Sequence, residues 1–415
     1  MSDRRRQRQI EIAAALTAEI ERDVATGIPA DAATAAIFRR HPEFGSQDRR
    51  HYRMVIFAYF RWLGWTRILA PHDQTLRCAW AVTLDPGSSD DYVSLWAPLT
   101  NQTETERSAI RGDPLAFVAE HVGLTLDQLM PDWLVEALPD AVDRQRLIRA
   151  CLTRPPAWLA IPEDRLPAFK EMLTAQRIPY RDDHRLVGAL ALEPAFHLEL
   201  LQRAWGGAIQ VQDIASQCVV AACAARPGER WWDVCAGAGG KTIGLALNSG
   251  PTGRIFATDA RSSILDNLNA RSAAHRLTSI ETRLYNAIQD APVEDHFDGV
   301  LVDAPCSGIG TWPRNPDARW RTGPDQVRHG IESQRALLRR VAENVRPGGV
   351  LVYSVCTITR QEGPDHIAEL LHQRSDLYRE PFDHPLRHEP TDGTLMIHPD
   401  EGPGDGMFIA RLRRR

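Results

Sequence analysis

Lysine is almost missing from this chain: Lys170 and Lys241 stand against 47 arginines in 415 residues. The arginine excess reads as a composition bias, so a lysine kept at a motif position points to a task specific to an ammonium group. Strong net charge is missing too. At −5, bulk electrostatics neither demand nor exclude a nucleic-acid partner. No apolar run approaches the roughly 18 residues needed to span a bilayer. The N-terminal MSDRRRQRQIEIAAALTAEIERD meets acids before any signal-like stretch forms. Cysteine is sparse, with seven residues and no CxxC pair, which argues against a disulfide framework or a zinc site. No repeat or low-complexity segment is present. What remains is a chain of ordinary globular composition, 43% hydrophobic and 25% charged, long enough for two or three domains. The expectation is a cytoplasmic monomer with no membrane segment and no metal.

Three parts can be drawn. Residues 1–140 read as a helical domain, clearest where Ile10, Ala13, Ala14, Leu16 and Ile20 form one apolar face and Met54–Leu69 forms an aromatic-rich segment. Between 71 and 140, short apolar pieces alternate with Pro, Gly, Ser and Asp, without a firm assignment. Residues 141–205 read as a small α+β unit, with an extended AWLAI, a helical Leu166–Ala175 and a strand-like LVGALAL. After Gly206-Gly207, residues 206–415 alternate strand and helix. Strands are expected at Arg230–Val234, Arg254–Thr258, Ile280–Tyr285, Gly299–Val302 and Val350–Ser354, and helices at Thr242–Leu247, Ser262–Arg276, Gln326–Val345 and Pro364–His372. Such alternation predicts βαβ units and a mostly parallel sheet, with TLMIHP and GMFIARLRR as a closing antiparallel hairpin. The terminal RLRRR reads as a solvated chain end.

The segment WWDVCAGAGGKT (231–242) leaves a strand through a glycine loop and opens a helix. A P-loop needs glycine five positions before Gly240, where Cys235 stands. A dinucleotide fingerprint from Gly237 needs glycine at 242, where Thr242 stands. An acid, Asp259, ends the next strand, placed to bind ribose hydroxyls. A nucleoside ligand without a pyrophosphate, such as S-adenosylmethionine, fits best, with a plain tight turn as the alternative.

Two cysteines stand apart from the rest. Cys306 in LVDAPCSGIGTWPRNPDARW (301–320) and Cys356 in VLVYSVCTI (350–358) each follow a strand end, with Asp303 just before the first. Both strand ends would lie on the ligand-binding edge of a parallel sheet, where a nucleophilic thiol needs to be. Cys78, Cys151, Cys218 and Cys223 read as small buried hydrophobes.

Taken together, WDVCAGAGGKT, LVDAPCSGIGTWPRNPDARW, LVYSVCTI and the lead-in AIQVQDIASQ (208–217) resemble the motifs of the RsmB/Sun family of S-adenosylmethionine-dependent RNA cytosine-5 methyltransferases. The likeness covers about residues 150–415, and SQDRRHYRMVIFAYFRWLGWTRIL resembles the NusB-like RNA-binding domain of the RsmB branch. The resemblance implies a Rossmann-like class I methyltransferase domain behind an α+β RNA-binding subdomain. It implies that Cys235, Ala236, Gly237, Ala238, Gly239, Gly240 and Lys241 hold the cofactor's methionine moiety, with Lys241 near its carboxylate. Asp259 would take the ribose, Asn286 would lie near the adenine, and Asp303 beside cofactor and base. Cys356 would attack C6 of cytosine and Cys306 would assist product release, on RNA and in particular ribosomal RNA.

The chemistry requires such a set. C5 of cytosine is too weak a nucleophile until a thiolate adds at C6 and N3 receives a proton or hydrogen bond, which Asp303 could give only if it stays protonated or shares a proton. This sequence departs from the family at Ala238, where proline is usual, at Val355, where threonine is usual, at Trp312-Pro313, and in AWLAI. The alternatives are a tRNA cytosine-5 methyltransferase, a catalytically weak RNA-binding assembly factor, and a DNA-type enzyme whose nucleophile would be Cys306.

Overall fold

Helices with apolar residues at three- and four-residue spacing fill the first part of the chain in the computed structural model, which describes residues 3–138, 142–192, 201, 205, 209–402 and 404–415. They are α1 (Asp3–Ala25), α2 (Ala30–Arg40), α3 (Ser46–Leu69), α4 (Gln74–Leu84), α5 (Asp90–Trp96), α6 (Glu104–Gly112), α7 (Pro114–His121), α8 (Leu134–Ala137) and α9 (Arg144–Cys151). The helical character therefore continues through the stretch from 71 onward that composition left open. Its polar residues are caps: Asp73 accepts from the Leu76 N–H, Thr103 and Glu106 form a capping box, and Asp113 precedes a helix-opening Pro114. Tyr52, Tyr59, Phe60, Trp62, Trp65 and Trp96 are buried in the core of this unit. Burying a Phe-sized side chain contributes roughly 1.5–3 kcal/mol.

The chain divides into two compact units, Met1–Arg154 with Trp312–Pro324, and Pro155–Thr311 with Asp325–Arg415. The Trp312–Pro324 excursion continues the motif that carries Cys306, yet it packs within the helical unit. Asp317 Oδ2 accepts from the Ala30 N–H at 3.1 Å, Arg319 Nη2 donates to the Arg61 carbonyl at 2.8 Å, and Trp320 Nε1 donates to the Phe60 carbonyl at 2.7 Å.

The second unit opens with β1 (Ala157–Ala160), α10 (Leu166–Ala175), β2 (Tyr180–Asp182), β3 (Ala189–Leu192) and β4 (Gln210–Val211). These strands form an antiparallel sheet in the order β2-β3-β1-β4. Strand alternation sorts its faces: Leu159, Leu190 and Leu192 cluster with Phe169 and Leu173 of α10, whereas Trp158, Ala189 and Ala191 join the core under the larger sheet. Gly206-Gly207 and the first residue of AIQVQDIASQ lie outside the described residues. The rest of that motif supplies β4 and, from its Asp213 N-cap, α11 (Ile214–Cys223).

The larger sheet contains β5 (Arg230–Asp233), β6 (Arg254–Asp259), β7 (Ile280–Leu284), β8 (Phe297–Asp303), β9 (Val345–Val355), β10 (Leu377–Arg379), β11 (Thr394–Ile397) and β12 (Met407–Arg414). Its order is β10-β12-β9-β8-β5-β6-β7, with β11 on β12. Strands β5 to β9 run parallel, and β10, β11 and β9 each pair antiparallel with β12. Helices α12 (Gly240–Ser249), α13 (Ser262–Ala274), α15 (Pro324–Val341) and α16 (Pro364–Gln373) complete this unit, while α14 (Ala318–Arg321) lies in the Trp312–Pro324 excursion of the helical unit. This is the expected α/β fold with its C-terminal hairpin. The terminal arginines are not a free end: Arg411 and Arg413 pair with Glu380, and Arg414 pairs with Asp376. From β5 the chain adds β6 and β7 on one side, then β8 and β9 on the other. The sheet therefore has a switch point between β5 and β8, where parallel α/β sheets place a ligand crevice beyond the strand ends.

Candidate active site

Residues 235–241 turn from β5 into α12 at that switch point. Gly237 (φ +52°) and Gly239 (φ +84°) occupy the left-handed region that glycine adopts without strain. A Cβ at Gly239 would also lie 2.1 Å from Leu268 Cδ1, so glycine is required there twice over. A Cβ at Gly237 would meet no atom within 4 Å, which leaves that side of the loop open to a ligand. Arg271 Nη1 donates to the Ala238 carbonyl at 2.6 Å and braces the loop where the family usually has proline.

Asp259 ends β6 beneath the loop and accepts from the Gly237 N–H at 3.0 Å. Arg261 donates to its Oδ1 through Nε at 3.0 Å and to its Oδ2 through Nη2 at 3.1 Å. Burial opposes the Asp259 charge, but the Arg261 and Gly237 donors outweigh it and hold the carboxyl below the ordinary range. Asn286 follows β7 on the same sheet edge. Its Oδ1 accepts from the Ile288 N–H at 3.0 Å and shapes a local turn.

Lys241, one of the two lysines, extends from the first turn of α12 to Asp303 at the end of β8, with Nζ 2.7 Å from Oδ2. Ser354 Oγ donates to the other oxygen, Oδ1, at 2.8 Å. Burial works against the Lys241 ammonium, but Asp303, then Cys356 and Asp233, outweigh it and raise its pKa. Beneath the pair, Asp233 is 1% exposed. Its Oδ2 accepts from Thr242 Oγ1 at 2.7 Å, while Oδ1 has no partner among the described residues. Burial pushes its carboxyl up to about 7.

Cys306 and Cys356, 50 residues apart in sequence, meet with Sγ to Sγ at 3.3 Å. The hydrogen bond with Cys356, burial and the nearby Glu362 together hold the Cys306 thiol well above its ordinary value. Both are partly accessible. Cys235 stands in the glycine loop, where burial, then Asp233, Asp303 and Asp259, raise its thiol. Cys78, Cys151, Cys218 and Cys223 are buried, as their apolar contexts predict. The structure thus brings Cys306, Cys356, Asp303 and Lys241 together, and keeps Asp259 and Asn286 at neighbouring strand ends. Sequence reasoning missed Ser354, Asp233 and the buried Glu362. Ser354 and Asp233 lie inside quoted motifs, at strand positions with period-2 placement as their signal. Glu362 has no local signal. Among the described residues no cluster of His, Cys, Asp and Glu could hold a metal ion, and no helix is long and apolar enough to cross a membrane.

A Rossmann-like sheet, a glycine loop at its switch point and an acid ending the next strand form a nucleoside-binding crevice of the kind that holds S-adenosylmethionine. Residues 220–413 match the family model described as 16S rRNA methyltransferase RsmB/F. A probable ribosomal RNA small subunit methyltransferase B of Synechocystis sp. is 37% identical over 210 residues, 49% of this chain and 47% of that protein. The ribosomal RNA small subunit methyltransferase B of Pasteurella multocida is 28% identical over 306 residues, 69% of this chain and 65% of that protein. The chain thus aligns with about half to two thirds of the length of these relatives. Among solved structures, PH0851 superposes with a TM-score of 0.73 at 21% identity, covering 97% of this chain and 99% of that one. A methyltransferase homolog from Pyrococcus horikoshii superposes at 0.54 with 24% identity, covering 65% and 90%. At these identities the superpositions show the fold.

Proposed function

We propose that the chain is an RNA cytosine-C5 methyltransferase acting on ribosomal RNA. The observation that carries this reading is the meeting of two partly accessible thiols at 3.3 Å beside the Lys241–Asp303 pair. The names of the relatives support ribosomal RNA as the substrate.

In this reading Gly237 to Lys241 cradle the methionine moiety of S-adenosylmethionine, and Asn286 lies near the adenine. Asp259 takes the ribose hydroxyls in place of the Arg261 guanidinium, whose side chain is 65% exposed and can swing to solvent. Bound there, the cofactor supplies an electrophilic methyl carbon. Cys356 Sγ adds to C6 of the base, which sends electron density to C5 as N3 takes a proton. Both oxygens of Asp303 already accept hydrogen bonds, one from an ammonium group. Asp303, oriented by Lys241 and Ser354, therefore serves N3 as a relay, taking the proton that the Cys356 thiol gives up as it adds and passing it on. The hydrogen bond to Cys356 leads the causes that hold Cys306 protonated. Once Cys356 is a thioether that hydrogen bond is gone; Cys306, after losing its own proton to solvent, removes the C5 proton as a thiolate, and Cys356 leaves as a thiolate while N3 gives its proton back.

Bisulfite sequencing of total RNA from a strain lacking the protein tests the reading. Loss of one ribosomal 5-methylcytosine supports it. A site lost only from tRNA moves the substrate to that class, and an unchanged methylation map overturns it.

A further inference from the structure

We propose that Glu362 is a positioning residue, a clasp that holds the Cys306 and Cys356 loops in register. The proposal rests on the reading above that both thiols take part in the reaction. Glu362 lies six residues beyond Cys356, just before α16, and is 0% exposed. Its Oε1 accepts from the Ser307 N–H at 2.8 Å and from Gln334 Nε2 at 3.1 Å. Its Oε2 accepts from Ser307 Oγ at 2.5 Å and from Thr359 Oγ1 at 2.9 Å.

The donors come from both cysteine loops. Ser307 follows Cys306, and its hydroxyl also meets Thr357 Oγ1, beside Cys356, at 2.9 Å. Gln334 on α15 donates in addition to the Pro305 carbonyl at 2.9 Å, on the other side of Cys306. Tyr353 on β9 fixes the backbone of the clasp by donating to the Glu362 carbonyl at 2.7 Å. Helix α15 comes this close because residue 330 is glycine: a Cβ there would lie 3.2 Å from Glu362 Oε1.

Among the described residues, no cation pairs with Glu362. A buried carboxyl group surrounded by neutral donors persists only while those donors converge on it, and here they converge from the segments that carry the two thiols. An amide of the same size breaks that convergence, because half of its polar end donates where the loops also donate. Glu362→Gln thus keeps the volume and loses the clasp.

Two rates test this on the full chain. In the first, diamide takes two electrons and two protons from Cys306 and Cys356 as they close a disulfide, followed by mass spectrometry of non-reduced peptides. In the second, steady-state methyl transfer separates kcat from KM. E362Q should slow disulfide closure by about tenfold and lower kcat by about a hundredfold, the scale of an ångström of misplacement at a reacting centre. The KM values for cofactor and RNA should stay within about twofold, because the clasp touches neither. Ser307→Ala, at a half-buried position, should give smaller falls in both rates, and it decides by the same criteria should E362Q not fold. Unchanged closure, or slowed closure with unchanged kcat, overturns the proposal. Slowed closure in a protein whose wild type methylates no RNA keeps the clasp and rejects the functional reading instead.

Discussion

The two units place buried charge in opposite ways. In the helical unit Arg61 and Asp85 form an ion pair at 2.9 Å with side chains 4% and 6% exposed, in a unit whose core is rich in tryptophan and tyrosine. Arg319, fully buried, donates to backbone carbonyls of Phe60 and Arg61 on α3. These groups fix packing. In the α/β unit Asp233, Lys241, Asp303 and Glu362 gather at the carboxyl ends of parallel strands, around two thiols. The contrast shows that burial of a charge does not mark a site. Convergence of unlike groups on the ligand-binding edge of a sheet does.

The largest effect that sharpens the contrast concerns the thiols. Cys356→Ala should abolish methylation and form no covalent RNA adduct. Cys306→Ala should still permit attack and methyl transfer, then stall before elimination. It should accumulate a protein–RNA species seen as a shifted band on a denaturing gel. A hundredfold slower release corresponds to about 2.7 kcal/mol. An adduct trapped by Cys356→Ala instead would exchange the two roles.

The helical unit should respond in stability rather than chemistry. Asp85→Ala leaves Arg61 buried without its carboxylate and should cost about 3–5 kcal/mol, read from denaturant unfolding by tryptophan fluorescence. Its affinity for S-adenosylhomocysteine should stay unchanged where the fold persists. A matching loss of that affinity would erase the distinction between the units. The same logic bears on truncation. A chain starting near residue 145 would keep Trp312–Pro324 but lack the helices to which Asp317, Arg319 and Trp320 bond. It is therefore expected to aggregate unless that excursion is also replaced.

Legibility in the sequence follows the range of the interactions. The strands from Arg230 to Ser354 were readable because parallel strands buried on both faces are short apolar runs between turn signals. The thiols and Asp303 were readable because each follows a strand end. The helices from Gln74 to His121 were not, because Asp73, Thr103 and Asp113 look like loop residues until their caps are seen. Glu362 was not, since its four hydrogen bonds come from residues 307, 334 and 359. Nor was the Lys241–Asp303 pair: the motif placed Lys241 toward the cofactor, and only the β5–β8 adjacency turns it to Asp303.

A smaller effect belongs to the cofactor edge. Asp259→Ala should weaken S-adenosylhomocysteine binding by about 1–3 kcal/mol, the loss of hydrogen bonds to a charged group, measured by calorimetry. The fold should hold, since Arg261, the main partner of Asp259, is already exposed. Unaltered affinity would remove Asp259 from the site and leave it as an anchor for the Gly237 N–H.

The last effect separates Asp233 from its neighbours by pH. Burial raises this carboxyl to about 7 in the folded chain, against an ordinary carboxylate value near 4 when unfolded. Between about pH 4 and 7 the folded state therefore binds a proton that the unfolded state releases. Stability must then fall as pH rises through that window, by at most about 1.4 kcal/mol per pH unit. The sign is opposite to that of Asp259, whose lowered carboxyl gives stability that is lost as pH falls. Asp233→Asn retains an acceptor for Thr242 Oγ1 and removes the titration. Urea midpoints taken from pH 5 to 8 should fall less steeply in the variant than in the wild type. Identical slopes would show that Asp233 carries no proton in the folded chain at neutral pH, and that an unpaired carboxylate is tolerated beneath the Lys241–Asp303 pair.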